Sequence, residues 1–414
     1  MVEFLLAVFL LVAVAWVFGE ALARVKQPAL VGQLFAGILI GPSVLNLVQP
    51  TDDLSNFANV AIFFIMFLTG LNLRTKDIIE AGKKAMILSV MAFTIPFVAG
   101  VETGSFLGLD HVSSLVVGLT LAITAVPVNS IILMEFGILK TKMGATVITA
   151  GVINDIMSLV VLSAIVQVSA NGGAGANYLG VVTSIGSIGA FVGGVLVVDA
   201  VLRRNPRWLP SKFARLKRVI RARESELGIM LIFSIGVSLV AEGAGLQFII
   251  GTFFAGLILN EAIGAESLKR ANEVFSGITF GLFAPLLFAF IGVEFVAQAL
   301  AGTLVLGWTL LVVAIFGKLA GGYGGAKLAG FSSADSSTIA FLMNSRGFLE
   351  LVIATITYQL GLIDLTLFSL VVAIGVITTV LSPITARISL RQSLPQILPV
   401  EQRLEEPPMP SVSG

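Results

Sequence analysis

The sequence predicts an all-α polytopic membrane protein: about 13 transmembrane helices, arranged as two inverted six-helix repeats with crossed discontinuous helices. Three observations predict this. The chain of 414 residues is 57% hydrophobic and only 12% charged, with a mean hydropathy of +1.01, whereas a soluble domain carries about 25% charged residues. Apolar runs of about 18 residues or more recur to near its end, each long enough to cross a bilayer. Basic residues fill every second connection and avoid the others, as they do when they mark cytoplasmic loops.

Hydropathy places the spans near 2–22, 29–48, 55–73, 85–107, 113–136, 143–168, 178–202, 226–242, 246–263, 274–296, 300–326, 333–360 and 363–389. The first has no basic stretch before its apolar run, so it reads as a span and not as a cleaved signal. The odd-numbered connections hold Arg24 and Lys26; Arg74, Lys76, Lys83 and Lys84; Lys140 and Lys142; a dense basic run from Arg203 to Arg223; Lys269 and Arg270; and Lys327. The even-numbered ones hold Asp52, Asp53, Asp110, Glu242 and Asp364 instead. A miscounted span would break this alternation. The N-terminus is therefore expected outside and the C-terminus in the cytoplasm of a cell-membrane protein. The stretch 203–226 reads either as an amphipathic linker lying on the anionic leaflet or as a topogenic charge cluster. The tail 390–414 is too short for a regulatory domain.

Composition also excludes. A net charge of +1 argues against a nucleic-acid partner, and the absence of Cys excludes disulfides and thiolate metal sites. The single His111 falls in a loop beside Asp110, which argues against a histidine metal site. No cofactor and no enzymatic chemistry are expected.

An internal repeat appears in two echoes. Gly32 to Ile40 in span 2 matches Gly251 to Leu259 in span 9, and Phe67 to Leu73 in span 3 matches Phe288 to Glu294 in span 10. Both pair span n with span n+7, so paired spans run in opposite directions. That is an inverted-topology repeat, from which transporters build alternating access. It makes span 7 a connector and pairs span 5 with span 12. These two should be the discontinuous helices. Span 5 contains Thr124 to Ser130 with Pro127, which removes a donor and clashes with the preceding turn. Span 12 contains Asn344, Ser345 and Arg346 ahead of Gly347, a helix-weakening residue. Freed backbone groups are tolerated at membrane depth where they line a cavity; the alternative at Pro127 is a plain kink.

Asp155 lies within the apolar stretch 146–162 of span 6, where a carboxylate is expensive and normally serves an ion or proton path. It is a hard oxygen ligand suited to Na⁺, Li⁺ or a proton. Asn154 adds a neutral amide, Ser158 lies one turn along on the same face, and Thr124 can add an oxygen from the break in span 5. Lys318 in span 11 either pairs with Asp155, directly or through Asn154, or snorkels to the interface. Arg346 and Glu350 are spaced i,i+4 and read as a structural ion pair, with Glu135 as another partner for Arg346. Glu294, near the outer end of span 10, is expected to be solvated.

The run from Thr124 through Leu133, Met134 and Glu135 to Asn154-Asp155 resembles the core of the monovalent cation:proton antiporter superfamily. Over about residues 20–390 the chain is similar to its bacterial Na⁺/H⁺ antiporter branch, and Asn344 to Leu351 is similar to plant cation/H⁺ exchangers. The resemblance implies a homodimer in which a dimerisation domain (1–84 and 227–296) flanks a mobile core (85–168 and 300–389), joined by span 7 (178–202) and the linker 203–226. It implies that Asp155 carries the ion or proton, that Lys318 is the core lysine, and that Thr124 lies in the first crossover break. Electrogenic members have two adjacent aspartates; Asn154 replaces the first, as in the electroneutral branch. The resulting expectation is a secondary antiporter exchanging Na⁺, or Li⁺ or K⁺, for protons by an elevator movement, one for one. The alternatives are a sodium-coupled organic-anion symporter, and a cation channel or non-transporting ion sensor.

Overall fold

The computed structural model of the chain describes residues 2–25, 27–72, 82–139, 141–170, 186, 194, 225–244, 246–300 and 302–397. Every secondary-structure element among them is helical. Eight described helices are long and apolar enough to cross a bilayer by length and composition, and the chain is a multi-pass membrane protein. Predicted span 7 apart from residues 186 and 194, the linker 203–226 up to residue 224 and the tail beyond residue 397 lie outside the described residues, and the count of thirteen rests on the sequence.

Helices α1 (Val2–Arg24), α2 (Ala29–Ile40), α3 (Asp52–Leu71) and α4 (Gly82–Phe106) are spans 1 to 4. Span 5 is divided into α5 (His111–Ala122) and α6 (Val126–Glu135), and span 6 is α7 (Lys142–Ala170). Spans 8 and 9 are α8 (Ser225–Gly243) and α9 (Phe248–Ala262). Span 10 comprises α10 (Ala265–Ile278), a π turn (Thr279–Phe283) and α11 (Ala284–Glu294). Span 11 is α12 (Leu304–Leu328), span 12 is divided into α13 (Ser333–Met343) and α14 (Phe348–Gln359), and span 13 is α15 (Leu365–Ile397).

Three boundaries differ from the sequence expectation by about two turns: the helix of span 2 ends at Ile40 and not near 48, that of span 13 runs on to Ile397 and not 389, and that of span 10 starts early. Span 10 was expected to start at 274, but its helix reaches back to Ala265. Glu266, Lys269 and Glu273 are exposed there while Ala271 and Phe275 are buried. That is an amphipathic pattern, which mean hydropathy does not register. The π turn sits just before Pro285, whose missing N–H interrupts the ladder. The Gly281 carbonyl within it accepts instead from Trp16 Nε1 of α1 at 3.1 Å.

The helices pack as two groups. One contains α1 to α3 and α8 to α11; the other contains α4 to α7 and α12 to α15. Within the first group, glycines set the approach of backbone to backbone. A Cβ at Gly32 would lie 2.2 Å from Phe18 O, and one at Gly251 would lie 2.5 Å from Ser238 Cα. A Cβ at Gly37 would lie 1.8 Å from Ala289 O, and one at Gly256 would lie 2.4 Å from Phe67 O. Span 2 thus touches spans 1 and 10, and span 9 touches spans 8 and 3. The same contact recurs under the shift from n to n+7 that the sequence echoes suggested.

The two ends of the bundle differ. The end that carries Asp52, Asp53, Asp110 and Asp364 is called here the acidic end, and the end that carries Lys83, Lys142 and Lys327 the basic end. One large apolar cluster draws on both groups, joining Leu54, Ala58 and Val293 with Val117, Leu162, Leu367 and Val371. Its members from the second group come from the acidic-end halves of their spans. Toward the basic end each group has its own cluster. Ala85, Leu88, Val147, Ile339 and Leu342 belong to one, and Phe67, Leu71, Leu259 and Phe275 to the other.

Candidate ion-binding site at the crossing of two broken helices

Span 5 leaves helical geometry at Ile123, Thr124 and Ala125, and span 12 leaves it between Asn344 and Gly347. The two segments cross. Ala125 N donates to Ser345 O at 2.9 Å. Ser345 Oγ shares its hydrogen between Ala125 O at 3.3 Å and Asn129 Oδ1 at 2.7 Å. Gly347 permits this approach, since a Cβ there would lie 2.7 Å from Ala125 Cβ. The expectation of a break at Pro127 is corrected by a few residues. Pro127 is the second residue of α6, where a missing N–H leaves no intrahelical acceptor empty. In an uninterrupted helix its ring would clash with the carbonyl four residues back, at Ile123, which is where the break begins.

The crossing leaves the C-terminal carbonyls of α5 without intrahelical donors. Two buried cations cover them. Arg346 Nη1 donates to Thr120 O at 2.9 Å and to Glu350 Oε1 at 2.8 Å, and Nη2 donates to Leu121 O at 2.9 Å and to Ala314 O at 3.3 Å. Arg346 and Glu350 are both fully buried. Glu135, the other partner considered for Arg346, has its side chain outside the described residues. Lys318 is also fully buried. Its Nζ donates to Thr124 Oγ1 at 2.7 Å, to Ala92 O at 3.1 Å and to Ala122 O. Ala92 O is available because Pro96, inside α4, cannot donate to the carbonyl four residues back.

Neither sequence alternative for Lys318 matches this. It does not snorkel, and among the described residues it forms no ion pair with Asp155, although its charge acts on Asp155 from a distance. Broken-helix carbonyls and a hydroxyl satisfy it instead.

Asp155 is buried, 7% exposed, and nothing donates to its Oδ1. Asn154 is fully buried; its Nδ2 donates to Thr124 Oγ1 at 3.1 Å, while nothing donates to its Oδ1. Ser158 Oγ donates to Asn154 O at 2.8 Å, so its proton is turned to its own helix. Thr124 is the hub: its hydroxyl receives Lys318 and Asn154 and donates to Met343 O at 3.3 Å. Among the described residues no cluster of three or more His, Asp or Glu could hold a metal ion. The crossing and the adjoining α7 hold buried oxygens that receive no donor, on Asp155, Asn154, Asn344 and Glu350. An organic-anion symporter would need a free buried cation, but Lys318 Nζ and both Arg346 Nη atoms donate to protein oxygens.

Sequence reading did not single out Pro96, and it placed Ser345 and Asn129 at the two breaks without assigning either a partner. A proline inside a span was a signal for the first, but nothing in the sequence names which side chain reaches the freed carbonyl. Glu294 corrects another expectation: it is buried, not solvated.

The family model for the transmembrane sodium/hydrogen exchanger matches residues 7–392. The Na(+)/H(+)-K(+) antiporter GerN of Bacillus cereus is 26% identical over 381 residues, covering 92% of this chain and 95% of that protein. The Na(+)/H(+) antiporter of Enterococcus hirae is 28% identical over 383 residues, covering 92% of this chain and 96% of its own. Among solved structures, the sodium proton antiporter MjNhaP1 from Methanocaldococcus jannaschii at pH 8 superimposes with a TM-score of 0.65 at 16% identity, covering 95% of this chain and 98% of that one. That likeness speaks for the fold.

Proposed function

The chain belongs to the sodium/hydrogen exchanger family, and from that premise we propose that it exchanges Na⁺, with Li⁺ or K⁺ as possible substitutes, for protons at Asp155. The observation that carries this reading is the pair of buried oxygens, Asp155 Oδ1 and Asn154 Oδ1, that receive no donor beside two interrupted helices. A monovalent cation can take such oxygens, and so can a proton on the carboxylate. One carboxylate cannot hold both, so each excludes the other. On one side of the membrane Asp155 releases its proton to water and takes the cation; on the other it releases the cation and takes a proton.

Lys318 supports a one-for-one exchange. Its charge already rests on Thr124, Ala92 and Ala122, so cation binding at Asp155 breaks no contact ion pair and need not expel a second proton. Its role is to offset the Asp155 charge when no cation is bound. Thr124 and Ser158 complete the polar surroundings.

The division of the helices supports an elevator movement of a core (85–168 and 300–389) against a dimerisation scaffold (1–84 and 227–296) in a homodimer. The basic end is assigned to the cytoplasm of the cell membrane, with the N-terminus outside. The shared apolar cluster at the acidic end and the separate clusters at the basic end support a state closed to the outside.

Proteoliposomes with an imposed pH gradient test the reading. Addition of Na⁺, Li⁺ or K⁺ should collapse the gradient, and Asp155→Ala should abolish that response. A response that survives in Asp155→Ala rejects the site. A sustained cation-driven current on a solid-supported membrane rejects the one-for-one ratio.

A further inference from the structure

One buried carboxyl has no part in the exchange site. Glu294 ends α11 at the acidic end; it is 8% exposed, and its buried Oε2 has no hydrogen-bond partner. A negative charge at a helix C-terminus also meets the exposed carbonyl dipoles. The helices packed on α11 offer it no nearby cation: α2 has no charged residue, Glu3, Glu20 and Arg24 of α1 lie toward helix ends, and Asp52 and Asp53 begin α3. Tyr358 of α14, in the other helix group, is the titratable side chain near enough to sense its charge. Burying an ionised carboxylate there costs far more than burying the neutral acid.

The surroundings form a seam. Directly after Glu294, Val296 N donates to Ser369 Oγ of α15 at 3.1 Å. Ser43 Oγ donates to Phe295 O at 2.7 Å and accepts from Ala297 N at 3.2 Å. Gln359 Nε2, next to Tyr358, donates to Ser55 Oγ of α3 at 3.0 Å. The Val296–Ser369 and Gln359–Ser55 bonds each join one helix group to the other, and both lie at the acidic end.

We infer that Glu294 is a second proton-binding carboxyl of this protein: it is the neutral acid while the seam at the acidic end is closed and releases its proton as that seam opens. The inference rests on the proposed alternating access. In the closed seam Glu294 is the neutral acid. When the groups part, water reaches it, the O–H bond breaks, the proton passes to water on that side and the hydrated carboxylate remains. One proton released per opening ties opening to external pH, by at most about tenfold per pH unit.

The absence of Cys makes this testable, because an introduced thiol is the only one in the chain. Ser369→Cys places it in the seam, and Leu47→Cys, at a position 60% exposed, serves as the reference for thiolate fraction. The full-length protein in vesicles is treated with a membrane-impermeant methanethiosulfonate from the acidic-end side. The ratio of the two labelling rates should rise about fivefold to tenfold per pH unit across the titration. Glu294→Gln should flatten the rise to less than about twofold, and Glu294→Asp should keep it. A flat ratio in the parent overturns the proposal, as does an unchanged rise in Glu294→Gln; if that variant does not assemble, the parent profile decides. The readout is opening and not transport. Failure of the Asp155 assignment would therefore show in the proteoliposome assay and leave this result standing.

Discussion

The two interrupted spans pair with each other under the sequence repeat, yet they end differently. The last carbonyls of α5 are covered by charged donors, Arg346 on Thr120 and Leu121 and Lys318 on Ala122. The last carbonyls of α13 receive only neutral ones: Asn344 N on Ala340, Ser345 N on Leu342 and the Thr124 hydroxyl on Met343. A helix C-terminus attracts positive charge, so both buried cations have gone to one of two equivalent ends. The helix that carries Asp155, α7, packs against both α5 and α13, and Asn154 beside Asp155 donates to the Thr124 hydroxyl that also receives Lys318. In the proposed function, the resident positive charges are therefore gathered at one end, and the transported one binds between the two. The fixed charges hold the crossing together, and the α13 end is held by neutral donors alone.

The strongest way to break this comparison is to remove the partner of a fixed charge. Glu350→Ala leaves Arg346 buried and unpaired, which should destabilise the protein by about 3–5 kcal/mol, read as a large drop in thermal stability of the purified full chain. Asp155→Asn should do the reverse, abolishing exchange while thermal stability holds. If Glu350→Ala is as stable as the parent, Arg346 does not hold the end of α5.

The crossing itself comes next. Gly347→Ala would set a methyl group 2.7 Å from Ala125 Cβ, an overpacking that should cost about 1–3 kcal/mol. Ala125→Gly in the same chain should recover most of it, and the non-additivity of the pair measures the contact. Pro96→Ala is smaller and separates stability from activity. It returns an N–H to α4 that competes with Lys318 for the Ala92 carbonyl. Stability should hold or rise, while exchange falls by about 1 kcal/mol of lost interaction, roughly fivefold in rate. Unchanged exchange would mean that Lys318 does not depend on that carbonyl.

How much of this was legible beforehand depended on whether the relevant partner was local. Arg346 and Glu350 are four residues apart, and helical spacing alone brings them together. Thr124 lies beside a proline, so its place at a break could be read. Lys318 is bound largely by backbone carbonyls, which every residue carries. Only Pro96 and the end of α5 make two of them available, and they come from segments about 200 residues away in the chain. Glu294 misled for the same reason. Its position near a span end predicts water, but Ser43, Tyr358 and Ser369 meet around that end only in the folded protein. Pro127 marked the right break on the wrong side, because a proline's conflict is with the carbonyl four residues before it.

The far ends of the two first half-helices give the smallest and most specific test. Asp110 caps α5 by accepting from Val112 N at 2.9 Å and Ser113 N at 3.1 Å. Ser332 caps α13 by accepting from Asp335 N at 3.1 Å. Replacing either cap by Ala should cost about 1 kcal/mol at neutral pH. Partial burial works against the Asp110 carboxylate, but the donors from Ser113 and Val112 outweigh it and hold the group below its ordinary range. A carboxyl lowered in the folded state stabilises fully above its unfolded value, near pH 4, and loses that contribution as pH falls through the folded one. Thermal unfolding of Asp110→Ala should therefore converge on the parent as the solution is acidified below about pH 4, while the Ser332→Ala deficit persists, since a hydroxyl has no charge to lose. A deficit at Asp110 that ignores pH would mean that its cap works by shape and not by charge, and that α5 takes its electrostatic support from Arg346 and Lys318 at the crossing alone.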